Sequence, residues 1–80
     1  MGEMMDNVKH PNHYTYCGIE CIAVIEAVCS SLIGFEGYCA GNIIKYIWRH
    51  KFKNGIEDLK KAREYIDFLI EYEEEQDAKH

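Results

Sequence analysis

Eighty residues allow one small domain with a modest core, and a chain that short leans on self-association, a metal or disulfides for added stability. The composition, 48% hydrophobic and 29% charged with one proline, is that of a folded globular domain. A net charge of -5 argues against a domain built to lie along extended nucleic acid. No apolar run is long enough for a membrane span, and the first residues carry no apolar leader core, so a cytoplasmic location without membrane contact is expected. Four cysteines in such a chain read as reduced thiols.

The first element, residues 1–18, is expected to be an irregular arm. "NVKHPNHYTYCG" has no sustained period, and Pro11 and Gly18 punctuate it. Within it His10, His13 and Tyr14 offer imidazole donors and an aromatic surface suited to a nucleobase. His10, His13, Cys17 and Cys21 also spell H-x2-H-x3-C-x3-C. Zinc accepts such ligands, but the spacing matches no common finger and Cys21 falls on an apolar helix face, so no metal is expected there.

A first helix is expected over residues 19–33. Cys21, Ile22, Ile25, Val28, Cys29 and Leu32 recur at three- and four-residue spacings, and Gly34 is placed to end the helix in a left-handed conformation. A second helix, residues 35–52, carries an apolar stripe of Ala40, Ile43, Ile44, Ile47 and Trp48. Its opposite stripe holds Tyr38, Asn42, Lys45, Tyr46, Arg49 and Lys53, with cations, an amide and phenols but no acid. "KNG" then forms a turn. The third helix, residues 56–76, is expected to bury Leu59, Ala62, Ile66, Leu69 and Ile70. A second stripe beside these holds Asp58, Lys61, Tyr65, Phe68 and Tyr72. The reading is therefore an all-α, three-helix domain spanning residues 1–80. Its surplus aromatic stripe, Tyr65, Phe68 and Tyr72, implies a homo-oligomer.

Charge is distributed in blocks. Residues 1–41 sum to -4, residues 42–63 to +5 and residues 64–80 to -6. A basic island in an acidic chain suits a small, discrete anion. Asn42, Lys45, Tyr46, Arg49 and Lys53 lie at spacings that converge on one helix face. Arg supplies a planar fork for phosphate oxygens and Lys a point charge. A merely solvated face would mix signs. Asp58, Lys61 and Tyr65 can line the opposite wall of the same cleft, although Asp58 in a first turn also suits the helix dipole. With His10, His13 and Tyr14 these residues make a candidate nucleotide site. There is no phosphate-binding loop of the G-x-x-x-x-G-K-[ST] kind and no acid cluster for magnesium, and spacing supports no catalytic residue and no resident cofactor.

"HPNHYTYCGIECIAVIEA" and "GNIIKYIWRHKFKNGIEDLKKAREYIDFLI" resemble a family of small bacteriophage proteins, a nucleotide-kinase-like domain of unknown function. The resemblance covers about His10 to Ile70. It implies an all-helical, oligomeric protein that handles nucleotides in the host cytoplasm. A longer coliphage member of that family is known as a nucleoside monophosphate kinase without a P-loop. Small helical phage proteins of this general kind also include sponges that sequester cyclic nucleotide immune signals. Two functions follow. The favoured expectation is a sponge that holds a cyclic dinucleotide or related signal at a subunit interface without chemistry. The alternative is a nucleoside monophosphate kinase.

Overall fold

A computed structural model describes residues 15–79. Three helices, α1 (Cys21–Cys29), α2 (Gly34–Arg49) and α3 (Ile56–Ala78), hold most of them. A minimal antiparallel hairpin, β1 (Thr15–Tyr16) and β2 (Ile19–Glu20), precedes the helices, with Tyr16 opposite Ile19. The hairpin falls partly where an irregular arm was expected. Cys17 and Gly18 form its two-residue corner with φ of 51° and 76°. Two positive φ values in succession match the right-handed twist of the flanking strands. Gly18 therefore closes a hairpin, and the first helix starts two residues later than expected, at Cys21.

α1 is also shorter at its far end. The Ser30 hydroxyl donates to the Ala27 carbonyl at 2.9 Å, a local bond that competes with helix propagation. Ile33 is extended, and Gly34 takes φ of 58° as α2 begins. α2 then runs antiparallel-fashion between two neighbours. Its apolar stripe meets α1 and the hairpin: a Cβ on Gly41 would stand 3.6 Å from Ile25, and Trp48 meets the Tyr16 ring edge at 5.3 Å. Its other stripe, the one rich in cations and phenols, meets α3.

Small side chains sit where the helices come closest. Cys21, Cys39, Ala40 and Ala62 are the buried apolar residues of the described chain, and Asp58 is buried with them. Small residues let backbones approach, but they take little apolar area from water. Large apolar groups are left outside. The stripe expected to be the core of α3 is only partly so. Ala62 is buried and Leu69 half-buried, whereas Leu59, Ile66 and Ile70 are 41%, 38% and 50% exposed. The face that α3 gives to α2 is instead Asp58, Ala62, Tyr65, Leu69 and Tyr72. The reason is chemical: α2 offers a polar aromatic stripe, and the phenols and the carboxylate of α3 match it better than its isoleucines do. Among the described residues no helix is long and apolar enough to cross a membrane.

α2 stops three residues earlier than expected. The Arg49 carbonyl accepts from both the Phe52 and Lys53 N–H groups, at 2.9 and 3.1 Å, which closes the helix into a tight turn. Gly55 then donates to His50 at 2.8 Å while its own carbonyl opens α3 by accepting from Asp58 and Leu59. Gly55 does this at φ 54° and ψ -120°, a conformation that L side chains rarely adopt. Nothing lies within 4 Å of where its Cβ would be, so a substitution there meets torsional strain alone. Gly55→Ala is expected to destabilise the fold by about 1–3 kcal/mol and to lower the thermal midpoint accordingly. Calorimetry checks this, and an unchanged midpoint would show that the turn relaxes into another conformation.

Candidate nucleotide site

The seam between α2 and α3 is built around one ring. Tyr46 on α2 has the Lys45 ammonium 4.5 Å from its ring centroid, the Arg49 guanidinium at 4.9 Å, and Lys61 from α3 at 5.6 Å. Cations are drawn to the negative face of an aromatic ring, so Tyr46 keeps three of them together that would otherwise spread apart. Helical spacing puts Lys45 and Arg49 one turn apart on α2, and Lys61 arrives from the facing helix. Tyr65 of α3 stacks on Tyr46, with centroids 5.9 Å apart and planes 20° apart.

The aromatic series continues away from the cations. Tyr65 meets Tyr38 edge-on at 5.6 Å, with their hydroxyls 3.2 Å apart, and Phe35 packs on both Tyr38 and Tyr72. The hydrogen bond to Tyr38 is the main reason that the Tyr65 hydroxyl holds its proton up to about 12, with burial adding to it. Tyr65 is therefore a neutral phenol across the physiological range. Tyr38 stays 55% exposed, so one flat face of this series is open to solvent.

Asp58 organises the basic end. It is fully buried, and its carboxylate accepts from Arg49 at 3.3 Å, from the Asn54 backbone N–H at 3.2 Å and from the Asn54 amide at 3.5 Å. Burial alone would push its pKa up. The Asn54 N–H and the Arg49 guanidinium outweigh that and hold it below the usual carboxylate value. One carboxylate thus ties the end of α2, the connecting turn and the first turn of α3 together. It also fixes which way the Arg49 fork points.

The seam gathers Lys45, Tyr46, Arg49, Asp58, Lys61 and Tyr65 of the expected residues. Asn42 lies on the same helix one turn earlier, its amide donating to the Tyr38 carbonyl at 2.8 Å. Lys53 stands apart: α2 ends before it, and it is exposed in the turn. His10, His13 and Tyr14 lie outside the described residues. Of the four residues in the zinc-like spacing, Cys17 is exposed at the hairpin corner and Cys21 is buried, where desolvation raises its thiol pKa against the opposing pull of Lys45. Among the described residues no three His, Cys, Asp or Glu gather as a metal cage. Tyr38, left out of the expected site, lies against Tyr65 in the same aromatic series. Its position four residues before Asn42 and eight before Tyr46 was the available signal, since helical spacing puts all three on one face.

The sequence of this all-helical chain has relatives among known proteins. Residues 8–67 match the family described as a protein of unknown function, DUF3310, and the chain belongs to that family. It is 43% identical over 72 residues to the gene 1.7 protein of Enterobacteria phage T3, a match covering 84% of this chain and 44% of that protein. It is 39% identical over 70 residues to the nucleotide kinase gp1.7 of Escherichia phage T7, covering 86% of this chain and 35% of that one. The chain thus spans less than half the length of these curated relatives. No solved structure matches it. These relatives correct the favoured expectation from the sequence. One carries the name of an enzyme, a nucleotide kinase, and this overturns the non-catalytic sponge for a cyclic signal. The basic stripe led there because phosphate contacts, which it was read to offer, are needed by a sponge and a kinase alike.

Replacing Asp58 tests the organising role given to it. Its folded pKa lies below the free-side-chain value of 3.8. The stabilisation is then fully present above that value and is lost as pH falls through the lower, folded one. Asp58→Asn is expected to lower stability near neutral pH by about 1.5–3 kcal/mol, the usual worth of hydrogen bonds to a charged group. The variant should also lose less than the parent on acidification to about pH 3. Urea unfolding of both proteins at the two pH values checks this. Equal acid sensitivity would move the titrating group elsewhere.

Proposed function

We propose that this chain is a nucleotide kinase domain that transfers a phosphoryl group between nucleotides, and that it works as a homo-oligomer. The observation that carries the reading is the gathering of Lys45, Arg49 and Lys61 around Tyr46 beside an open aromatic series. The T7 relative's name, a nucleotide kinase, supports it.

The chemistry fits what such a seam can do. An oxygen of a nucleoside monophosphate attacks the terminal phosphorus of a triphosphate. The bond from that phosphorus to its bridging oxygen breaks, and two diphosphates leave. The attacking oxygen is already an anion, so no general base is required. The obstacle is repulsion between two polyanions, and positioning with charge neutralisation is the main demand. Three cations held together by one ring, with Arg49 oriented by Asp58, answer that demand. Magnesium customarily travels with nucleotide phosphates and few protein carboxylates, and no step here is routed through a metal held by the chain. Tyr38 offers its exposed ring to a base, with Asn42 beside it. Lys53, which stands apart in the turn, and His10, His13 and Tyr14, which lie outside the described residues, are assigned to the ligand on their residue types alone.

Assembly is supported by what one copy leaves uncovered. The radius of gyration is 14.7 Å, against about 11.6 Å for a compact 80-residue chain. Among the described residues fourteen large apolar side chains stay exposed, Ile33, Ile56 and Ile22 most of all.

Incubation of the chain with a monophosphate and a triphosphate, followed by chromatography, should show diphosphate products. Lys45→Ala and Lys61→Ala should each weaken nucleotide binding by about tenfold or more, because each removes a charge-assisted contact worth about 1.5–3 kcal/mol. Arg49→Lys should retain binding but slow transfer, since it keeps the charge and loses the fork. Intact substrates after prolonged incubation, together with parent-like binding by both alanine variants, would overturn the reading.

A further inference from the structure

The uncovered side of α3 has an order of its own. Leu59, Arg63, Ile66, Ile70, Glu73 and Asp77 follow one another at spacings of four, three, four, three and four residues. That alternation is the repeat of a coiled-coil seam. All six are exposed along the described 23-residue helix. They follow by one residue the positions that meet α2, so the row lies about 100° around the helix from that face, and within the chain only Glu73 is drawn on, by Glu36 of α2.

The order of residue types along this seam gives it a direction. Laid antiparallel on a copy of itself about a centre between Ile66 and Ile70, the seam places Ile66 against Ile70 twice. It also places Arg63 against Glu73 twice, once on each side of the centre, and Leu59 against Asp77 at the two ends. Laid parallel and in register, it places Arg63 on Arg63, Glu73 on Glu73 and Asp77 on Asp77. Like charges in facing positions are unfavourable, and opposite charges set both partner choice and orientation. A two-fold arrangement is also what a self-complementary patch produces.

A second observation points to the same place. Glu73 stands against Glu36 of α2, and the hydrogen bond between the two carboxyls, aided by desolvation, raises the Glu73 pKa, with Asp77 adding to the effect. Among the described residues no ion pair reaches Glu73. Two carboxyls held together are short of a cation, and the antiparallel arrangement delivers Arg63 of a second copy there.

We propose that α3 pairs antiparallel with α3 of a second copy through Leu59, Arg63, Ile66, Ile70, Glu73 and Asp77, with Arg63 of each copy meeting Glu73 of the other. This rests on the homo-oligomer proposed above and specifies one of its contacts. Tyr65 and Lys61 lie off the seam, so the contact does not draw on the side chains grouped around Tyr46.

Sedimentation equilibrium of the full chain and its variants tests the proposal. The parent should associate. Ile66→Asp and Arg63→Glu should each weaken association by about tenfold or more, since each sets an unpaired charge in the contact. The double variant Arg63→Glu with Glu73→Arg should restore it, an outcome that misfolding cannot mimic. Orientation is read by cross-linking on a Cys17→Ser background. A mixture of Ile66→Cys and Ile70→Cys chains should form the mixed disulfide in preference to either homodimer. A monomeric parent would overturn both the oligomer and the seam. A parent that associates, with single charge variants that associate equally well, would overturn the seam alone. Homodimeric cross-links from Ile66→Cys alone would overturn the antiparallel direction.

Discussion

The Asp58 carboxylate is the point on which the rest of this small structure turns. It is the one fully buried charge of the described chain, and it accepts from the last residue of α2 and from the connecting turn while sitting in the first turn of α3. A buried carboxylate without partners is costly, so its bonds to Arg49 and Asn54 are a condition of the fold rather than a decoration. They decide the angle at which α3 leaves the turn, and so which of its faces meets α2. They also decide where Arg49 points. The same group therefore sets the packing of the two long helices and the geometry of the cationic cleft between them. Stability and site are coupled through a residue that a ligand need never touch.

That coupling explains why the interior looks as it does. With a polar seam on one side of α2, the apolar core is confined to the other side and to the small residues at the close approaches. Cys39, Ala40, Gly41 and Ala62 bring backbones together but remove little apolar area from water. A chain arranged in this way cannot cover its own isoleucines. The exposed apolar surface is thus a consequence of giving the α2–α3 seam over to phenols, cations and one carboxylate.

Much of this was legible in the sequence, and the failures share a cause. Three helices follow from the three-and-four spacing of apolar residues, and the cationic stripe of α2 from the lack of any acid at its positions. The shortened ends do not follow from spacing. Ser30 binding back to Ala27 and the Arg49 carbonyl accepting twice are local hydrogen bonds that compete with one more helical turn. The hairpin was missed because Cys17-Gly18 reads as a break until both residues are seen at positive φ. The core of α3 was misassigned because isoleucine outranks tyrosine on any scale of apolarity. Burial is relative to a partner, and α2 presented a partner that phenols suit better. The choice between holding a nucleotide and acting on it was not legible at all, since both need the same phosphate contacts.

The two sides of α3 can now be set against each other. Tyr65 and Ile66 are adjacent in sequence and so lie about 100° apart around the helix axis. Tyr65 belongs to the cleft, stacked on Tyr46, while Ile66 belongs to the exposed seam. A helix that served only as a lid for the cleft would need one apolar face, and its other sides would carry mixed charge. A helix that served only for assembly would have no reason to stack a phenol beside three cations. α3 has both faces, and neither side chain set intrudes on the other. Association through the isoleucines would therefore stiffen the wall that carries Lys61 and Tyr65 without drawing on those side chains. Asp58 at the start of that helix passes the same constraint to Arg49. The proposed assembly and the proposed phosphate binding would in this way load one rigid element.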